Sequence, residues 1–164
     1  MEWINDDRLK FPDPRIGDKT DVTRLLASIV AVEGPVICHR VYKLYIKAAG
    51  LQRAGKEINK ILNRAMAEAV RQNLVFKAGL DPGGPQAGMI VRPGLVPDVV
   101  QRVRGPREFD EIPRDELACA MRQIQRQEPD LPKDSLFRSV LAIYGFSRLT
   151  AAVKEALTEI FEQL

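Results

Sequence analysis

The chain has 164 residues, of which 45% are hydrophobic, so it is long enough to bury the core of one domain or of two small ones. Aromatic residues make up only 6%, which predicts a core of mainly aliphatic side chains. The net charge of +3 is too small to identify a polyanion-binding protein, so the local clustering of charged residues is more informative than the total. No apolar run reaches membrane-spanning length and the N-terminus does not resemble a signal, which predicts a cytoplasmic protein.

Residues that commonly carry catalysis or hold a metal are few. His39 is the single histidine, and Cys38 and Cys119 are far apart without a CxxC spacing, which is typical of buried free thiols in a reducing compartment. Zinc requires four clustered ligands, and a nucleophilic triad requires a histidine beside a recognisable nucleophile. The sequence therefore predicts a protein that is not an enzyme and that has no cofactor and no metal.

The first predicted helices follow an irregular N-terminal stretch. Residues 1–20 are broken by prolines and a glycine, and we interpret them as a linker or docking tail. A helix is expected to begin near Thr20 or Asp21 and to end at Glu33. A second helix is expected over residues 38–49, and Gly50 suits the left-handed position that ends many helices.

A third helix, expected over residues 54–73, has the clearest pattern. Its apolar positions recur at spacings of three and four and form one stripe, while most of its basic residues and asparagines fall off that stripe. Between Arg53 and Asn73 five basic residues stand against two acidic ones, which makes this helix locally positive. Two short strands are expected next, over residues 74–77 and 89–92, joined by a loop rich in glycine and proline.

Helix, turn, helix and hairpin in this order predict a winged helix-turn-helix unit over residues 21–92. Residues 93–111 are expected to be a basic linker, and residues 112–164 a second unit of three helices. The fold class is therefore predicted as mainly α with a small β-hairpin. The linker contains Arg102, Arg104 and Arg107, for which two interpretations remain open: a solvated connection, or a strip that contacts a nucleic-acid backbone.

The two halves of the chain resemble each other at a displacement of 95 residues. Gly50 and Arg53 then correspond to Gly145 and Arg148, and the apolar stripe of the third helix corresponds to that of the last one. The sequence thus predicts two copies of one helical unit. The charges differ, because residues 154–164 contain one lysine and three glutamates, which would repel a phosphate backbone. The second copy is therefore expected to pack against the first or to bind a protein.

The candidate binding residues lie on the third helix, at the two ends of the hairpin and in the linker. Lysine and arginine neutralise phosphates, and asparagine is suited to base edges, so we expect these residues to bind nucleic acid. DNA is the expected partner in preference to RNA. An ordinary solvated helix face, or a protein-interaction scaffold built on winged-helix units, are the alternatives. The candidates are Arg53, Lys56, Asn59, Lys60, Asn63, Arg64, Lys77, Arg92 and Arg104.

Three short motifs carry a resemblance to a known family. They are Glu-Gly-Pro-Val at residues 33–36, Gly50-Leu51 followed by Arg53 and Gly55, and Ile112-Pro113 followed by Glu116. From residue 22 onward the chain resembles the uncharacterised C-terminal domain of large bacterial superfamily-1 helicase-like proteins, which also carry a restriction-endonuclease-like segment. The resemblance implies an accessory module beside a helicase or nuclease domain, on the same or a partner chain. The family's histidine after Gly-Pro is replaced here by Ile37, so no role of that histidine can be transferred.

Overall fold

The computed structural model describes residues 11–78, 89–91 and 101–164. The chain forms two compact units, Met1–Pro97 and Asp98–Leu164, and the boundary falls inside the stretch predicted to be a linker. Helices make up most of the described residues, so the mainly helical class predicted from the sequence is confirmed. None of the described helices has both the length and the apolar character needed to cross a membrane.

The first unit contains three helices and three short strands among its described residues. Helix α1 packs against both α2 and α3, and its buried face supplies the centre of the core. The strands form one antiparallel sheet in the order β1-β3-β2. The elements are α1 Lys19–Glu33, β1 Val36–Ile37, α2 Cys38–Ala48, α3 Lys56–Arg71, β2 Phe76–Ala78 and β3 Met89–Val91.

Helix α1 begins slightly earlier than the sequence pattern predicts. Asp18 is the N-cap, and its carboxylate accepts hydrogen bonds from the amides of Thr20 at 2.7 Å and Asp21 at 3.3 Å. The predicted cap at Thr20 or Asp21 is therefore wrong, because a carboxylate was already available to the free amides two or three residues earlier. The hydrogen bonds to these amides hold the pKa of Asp18 below its usual value.

The sheet contains one strand that the sequence did not predict. Val36 and Ile37 pair with Ile90 and Met89 of β3, which in turn pairs with β2. A two-residue strand is too short to show an alternating pattern, so only its partner reveals it. The glycine-rich loop predicted between β2 and β3 lies mostly outside the described residues.

The predicted linker or docking tail contacts the core of the first unit at Phe11 and Pro12. Phe11 is buried, and its ring meets that of Tyr45 edge-on with 5.3 Å between centroids. The Tyr45 hydroxyl donates a hydrogen bond of 3.0 Å to the carbonyl of Pro12. Burial raises the pKa of Tyr45 to about 12, so this donor keeps its proton at neutral pH.

The second unit has three helices and a short 3-10 turn at Phe109–Glu111 among its described residues. Helix α4 contacts both α5 and α6, as α1 contacts both α2 and α3 in the first unit. The core of the second unit is mainly aliphatic and contains one fully buried phenylalanine, Phe137. The helices are α4 Arg114–Gln127, α5 Lys133–Ile143 and α6 Ala151–Phe161.

The two units share one arrangement of helices at the displacement that the sequence predicts. Helices α1, α2 and α3 begin at residues 19, 38 and 56, and α4, α5 and α6 begin 95 residues later, at 114, 133 and 151. After α2 and α5 the chain turns at Gly50 and Gly145, both with φ of +69°. In each turn an amide donates to a carbonyl five residues earlier, at 3.0 Å in the first unit and 2.9 Å in the second.

The left-handed conformation of Gly50 and Gly145 predicts that a side chain at either position lowers stability, and Gly55 provides a matched control. Gly50→Ala is expected to lower the free energy of unfolding by about 1 kcal/mol, because a Cβ is strained at positive φ even where space is open. Gly145→Ala should have the same effect in the second unit. Gly55, the N-cap of α3, has φ of −71° and no capping side chain, whereas Thr150 caps the corresponding α6.

Gly55→Ser is therefore expected to stabilise the protein by about 0.5 kcal/mol, since it adds a cap without strain. Urea denaturation of the three variants measures both effects. A Gly50→Ala protein as stable as the wild type would show that the turn tolerates a side chain, contrary to the expectation.

Neither interpretation of the basic linker holds for Arg107, which is buried, whereas Arg102 is partly exposed. Glu116 is fully buried on the inner side of α4. Its carboxylate accepts hydrogen bonds from Arg107 Nη1 at 2.8 Å and Nη2 at 2.9 Å, and from Arg102 Nη2 at 3.0 Å. Arg107 is itself buried. A carboxylate in a core needs cationic partners, so Arg107 is drawn inward and Arg102 reaches the carboxylate from the surface.

Arg104 is also held inside the second unit. Its guanidinium carbon lies 4.5 Å from the centroid of the Phe146 ring, and Nη1 donates to the carbonyl oxygen of Gly145 at 3.3 Å. That carbonyl follows the last turn of α5, where a cation is favourable because the helix dipole is negative there. Arg104 therefore stabilises the end of α5.

Candidate nucleic-acid interface

Helix α3 is amphipathic, with one apolar face and one polar face. Its buried residues face the core and recur at helical spacing, as the sequence predicts. The polar face is displaced around the helix axis and faces solvent, with Lys56, Lys60 and Arg64 all exposed. The buried residues are Ile58, Leu62, Ala65, Met66 and Ala69.

Five of the nine predicted site residues line one shallow depression on α3. Lys56, Lys60 and Arg64 are spaced by four residues, so their side chains follow each other along the helix surface. Two asparagines stand beside this row and offer neutral hydrogen-bonding groups. The complete lining is Lys56, Asn59, Lys60, Asn63, Arg64 and Ala67.

The two acidic residues of α3 form no ion pair with this row. Glu68 accepts hydrogen bonds from Arg71 and, at 2.5 Å, from Gln72, and the bond with Arg71 holds the pKa of Glu68 below its usual value. The charge of Glu57 acts on Arg15, whose pKa is raised chiefly by Asp13 and to a smaller extent by Glu57. Within the described part of the chain no carboxylate pairs with the three cations of the row.

The two asparagines differ in how they are held. Asn59 donates a hydrogen bond of 3.3 Å from its amide nitrogen to the carbonyl of Ala54, which fixes it against the turn before α3. The amide oxygen of Asn63 is buried and has no hydrogen-bond partner among the described residues. An acceptor buried without a donor costs stability, and because this oxygen has no accessible surface it is out of reach of a ligand, which could contact only the rest of the Asn63 side chain.

The remaining four predicted residues are not all gathered on this face. Arg53 is exposed in the turn before α3, and Lys77 is exposed on β2. Arg104 belongs to the second unit and contacts Phe146, as described above. Arg92 lies outside the described residues.

Sequence reasoning missed a second basic row, on α2. His39, Lys43 and Lys47 are exposed, whereas Arg40 is buried and pairs with Glu33 at 3.0 Å. The spacing of four residues was visible in the sequence and was the available signal. Without the structure, however, Arg40 could not be separated from the three exposed residues.

The described residues contain no cluster of metal-binding side chains. Among them no three His, Cys, Asp or Glu side chains are placed to hold a metal ion. Cys38 and Cys119 are free thiols, and burial raises the pKa of Cys38, which disfavours a reactive thiolate.

Comparison of the chain with protein-family models, with curated proteins and with solved structures gives no match. The resemblance to a helicase-associated domain therefore stays a prediction.

Proposed function

We propose that the first unit is a non-enzymatic DNA-binding module that uses the solvent side of α3. The observation that carries this proposal is the row of Lys56, Lys60 and Arg64, which lines one depression and has no carboxylate partner among the described residues. Phosphates are the ligands that such a row would neutralise. DNA is favoured over RNA because the major groove of B-form DNA admits an α-helix, whereas that of A-form RNA is too narrow.

The order of elements supports a winged helix-turn-helix architecture for this unit. Helices α2 and α3 are joined by a short turn, and the antiparallel strands β2 and β3 follow α3 directly. In that architecture the second helix of the pair enters the groove, and the hairpin lies beside it. Lys77 on β2 would then be positioned to contact the phosphate backbone.

The contrast between the two units supports the assignment to the first one. At the displacement of 95 residues, Lys60 and Arg64 correspond to Glu155 and Glu159. Glu159 accepts a hydrogen bond of 2.7 Å from Arg114. The same helix position thus carries opposite charge in two units with the same helix order, so the helix order alone does not require the basic residues of α3.

Association with helicase or nuclease machinery rests on the sequence resemblance alone. An accessory module of this kind would hold DNA near a motor or nuclease domain on the same chain or on a partner. A protein-interaction scaffold is the competing proposal, and it requires the basic row to be dispensable for any nucleic-acid contact.

The proposal predicts a change in salt dependence. Lys60→Gln with Arg64→Gln is expected to weaken binding to a short labelled DNA duplex. If each cation neutralises one phosphate, the slope of log K against log salt should decrease by about 1.8, or roughly 0.9 per contact. Fluorescence anisotropy over a range of salt concentrations measures this slope.

The second unit supplies a matched control. Arg122 and Arg126 are exposed on α4 with the same spacing of four residues. Arg122→Gln with Arg126→Gln removes the same charge and should leave the slope unchanged. Equal slopes for the wild type and the Lys60/Arg64 variant would contradict DNA binding through α3 and would favour the scaffold.

A further inference from the structure

The exposed face of α2 is entirely basic. His39, Lys43 and Lys47 are its exposed residues, and the helix contains no acidic residue. Their spacing of four residues places them in one row along the helix. Most of the other residues of α2 are buried, so this row is nearly all that the helix presents to solvent.

A groove of about 640 Å³ lies between this row and the start of α3. Its apolar lining comes from Tyr42, Ile46, Leu51 and Ala54, and Lys47 and Arg53 are among its basic residues. None of the described residues that line the groove is acidic. The groove therefore combines an apolar surface with a positive edge.

The groove is continuous with the proposed DNA-binding face of α3. Asn59 lines both the groove and the depression that contains Lys60 and Arg64. The hydrogen bond from Asn59 to the Ala54 carbonyl ties the turn to α3. A chain lying along α3 can therefore reach the groove without leaving the protein surface.

The second unit shows that such a row is not needed for this helix to fold. Helix α5 has the same length as α2 and begins 95 residues later. The positions that correspond to His39, Lys43 and Lys47 are Asp134, Arg138 and Ala142. Both helices are folded with exposed faces, but only that of α2 is uniformly basic.

We propose that the groove binds one unpaired nucleotide of the DNA that lies on α3. Its phosphate lies between Lys47 and Arg53, and its base lies on Leu51 and Ala54. A volume of about 640 Å³ is within the range of small-molecule sites, which are mostly apolar with a few polar groups. A phosphate alone would not need the apolar surface, and a paired base cannot present its face to it. This proposal rests on the proposed function and adds the class of DNA that the module prefers.

The first test compares two DNA probes. One is a blunt duplex, and the other is the same duplex with a few unpaired thymidines at one end. The wild type is expected to bind the extended probe about eightfold more tightly, through the phosphate contact together with apolar burial of at most roughly 50 Å², which alone would give this ratio. Equal affinities would overturn the proposal. If the blunt duplex still binds with a steep salt dependence, the proposed function stands. If neither probe binds, both proposals fail.

Two variants then test the groove itself. Lys47→Gln removes an exposed charge, and Leu51→Ala shortens the apolar surface without changing any charge. Each is expected to bring the eightfold ratio toward one while leaving the affinity for the blunt duplex nearly unchanged. Arg126→Gln, an exposed charge on α4, is the control for Lys47→Gln and should leave the ratio as it is.

Two outcomes would overturn the proposal that the groove binds an unpaired nucleotide. If Lys47→Gln weakens both probes by the same factor, α2 contacts a duplex backbone and the groove is empty. If both variants retain the eightfold ratio, the extension binds elsewhere. Thermal melting of Leu51→Ala confirms that the variant is folded, because Leu51 is half-buried and packs against the core.

Discussion

Glu116→Ala is expected to lower the free energy of unfolding of the second unit by about 3–5 kcal/mol. The substitution removes a fully buried carboxylate and leaves the guanidinium of Arg107 buried without its counter-charge. Arg102, which is partly exposed, can turn to solvent, so most of the loss comes from Arg107. Hydrogen exchange of α4 and α5 amides at increasing urea concentration measures the effect in this unit.

Two further variants identify the cause of the loss. Glu155 is exposed on α6, and Glu155→Ala should change stability by no more than about 0.5 kcal/mol. Glu116→Leu combined with Arg107→Leu removes both charges and should recover much of the stability, since an apolar pair needs no desolvation of charge. A Glu116→Ala protein as stable as the Glu155→Ala control would mean that the carboxylate and Arg107 do not form a buried ion pair.

Truncation of the cores is expected to act on one unit at a time. Leu62 and Leu157 are both fully buried and occupy corresponding positions, on α3 and α6. Leu62→Ala should destabilise the first unit, and Leu157→Ala the second, by about 2–5 kcal/mol each, because lost apolar contacts and a residual cavity add. Amide exchange distinguishes them, since protection should fall in α1–α3 for one variant and in α4–α6 for the other.

A surface truncation serves as the reference. Ile16 is 86% exposed, so Ile16→Ala removes methyl groups of the same kind without opening a cavity. Its effect should stay within about 0.5 kcal/mol. Loss of protection in all six helices after Leu62→Ala alone would show that the units unfold as one cooperative structure rather than separately.

Much of the helical structure follows from the sequence because side chains at helical spacing share one face. The stripe of α3 and the glycine stops after α2 and α5 are local signals, and the structure contains them close to the predicted positions. The strand at Val36 and the burial of Glu116 are not local. Val36 pairs with Ile90, far along the chain, and Glu116 pairs with Arg107 in the irregular segment before α4, and nothing in the surrounding pattern indicates either partner.

The candidate site was predictable to a similar degree. The charges of α3 lie off an apolar stripe, so their exposure follows from the period of the helix. On α2 the stripe is wide, and Arg40 and Lys43 look equivalent in the sequence. Only the structure shows that Arg40 is buried beside Glu33 while Lys43 and Lys47 face solvent. Arg104 was predicted to bind nucleic acid from its charge alone, and its contact with Phe146 could not be foreseen from the sequence.

Corresponding helices of the two units begin at a constant offset along the chain, so each unit can serve as a reference for the other. Each position of α2 has a counterpart in α5, with the same distance to the following left-handed glycine. Comparing two counterpart positions of the single chain therefore separates the residues that the backbone of both units requires from those that only one unit has. A substitution that exchanges counterpart residues, such as Lys60→Glu or Glu155→Lys, transfers a property between copies rather than merely deleting it.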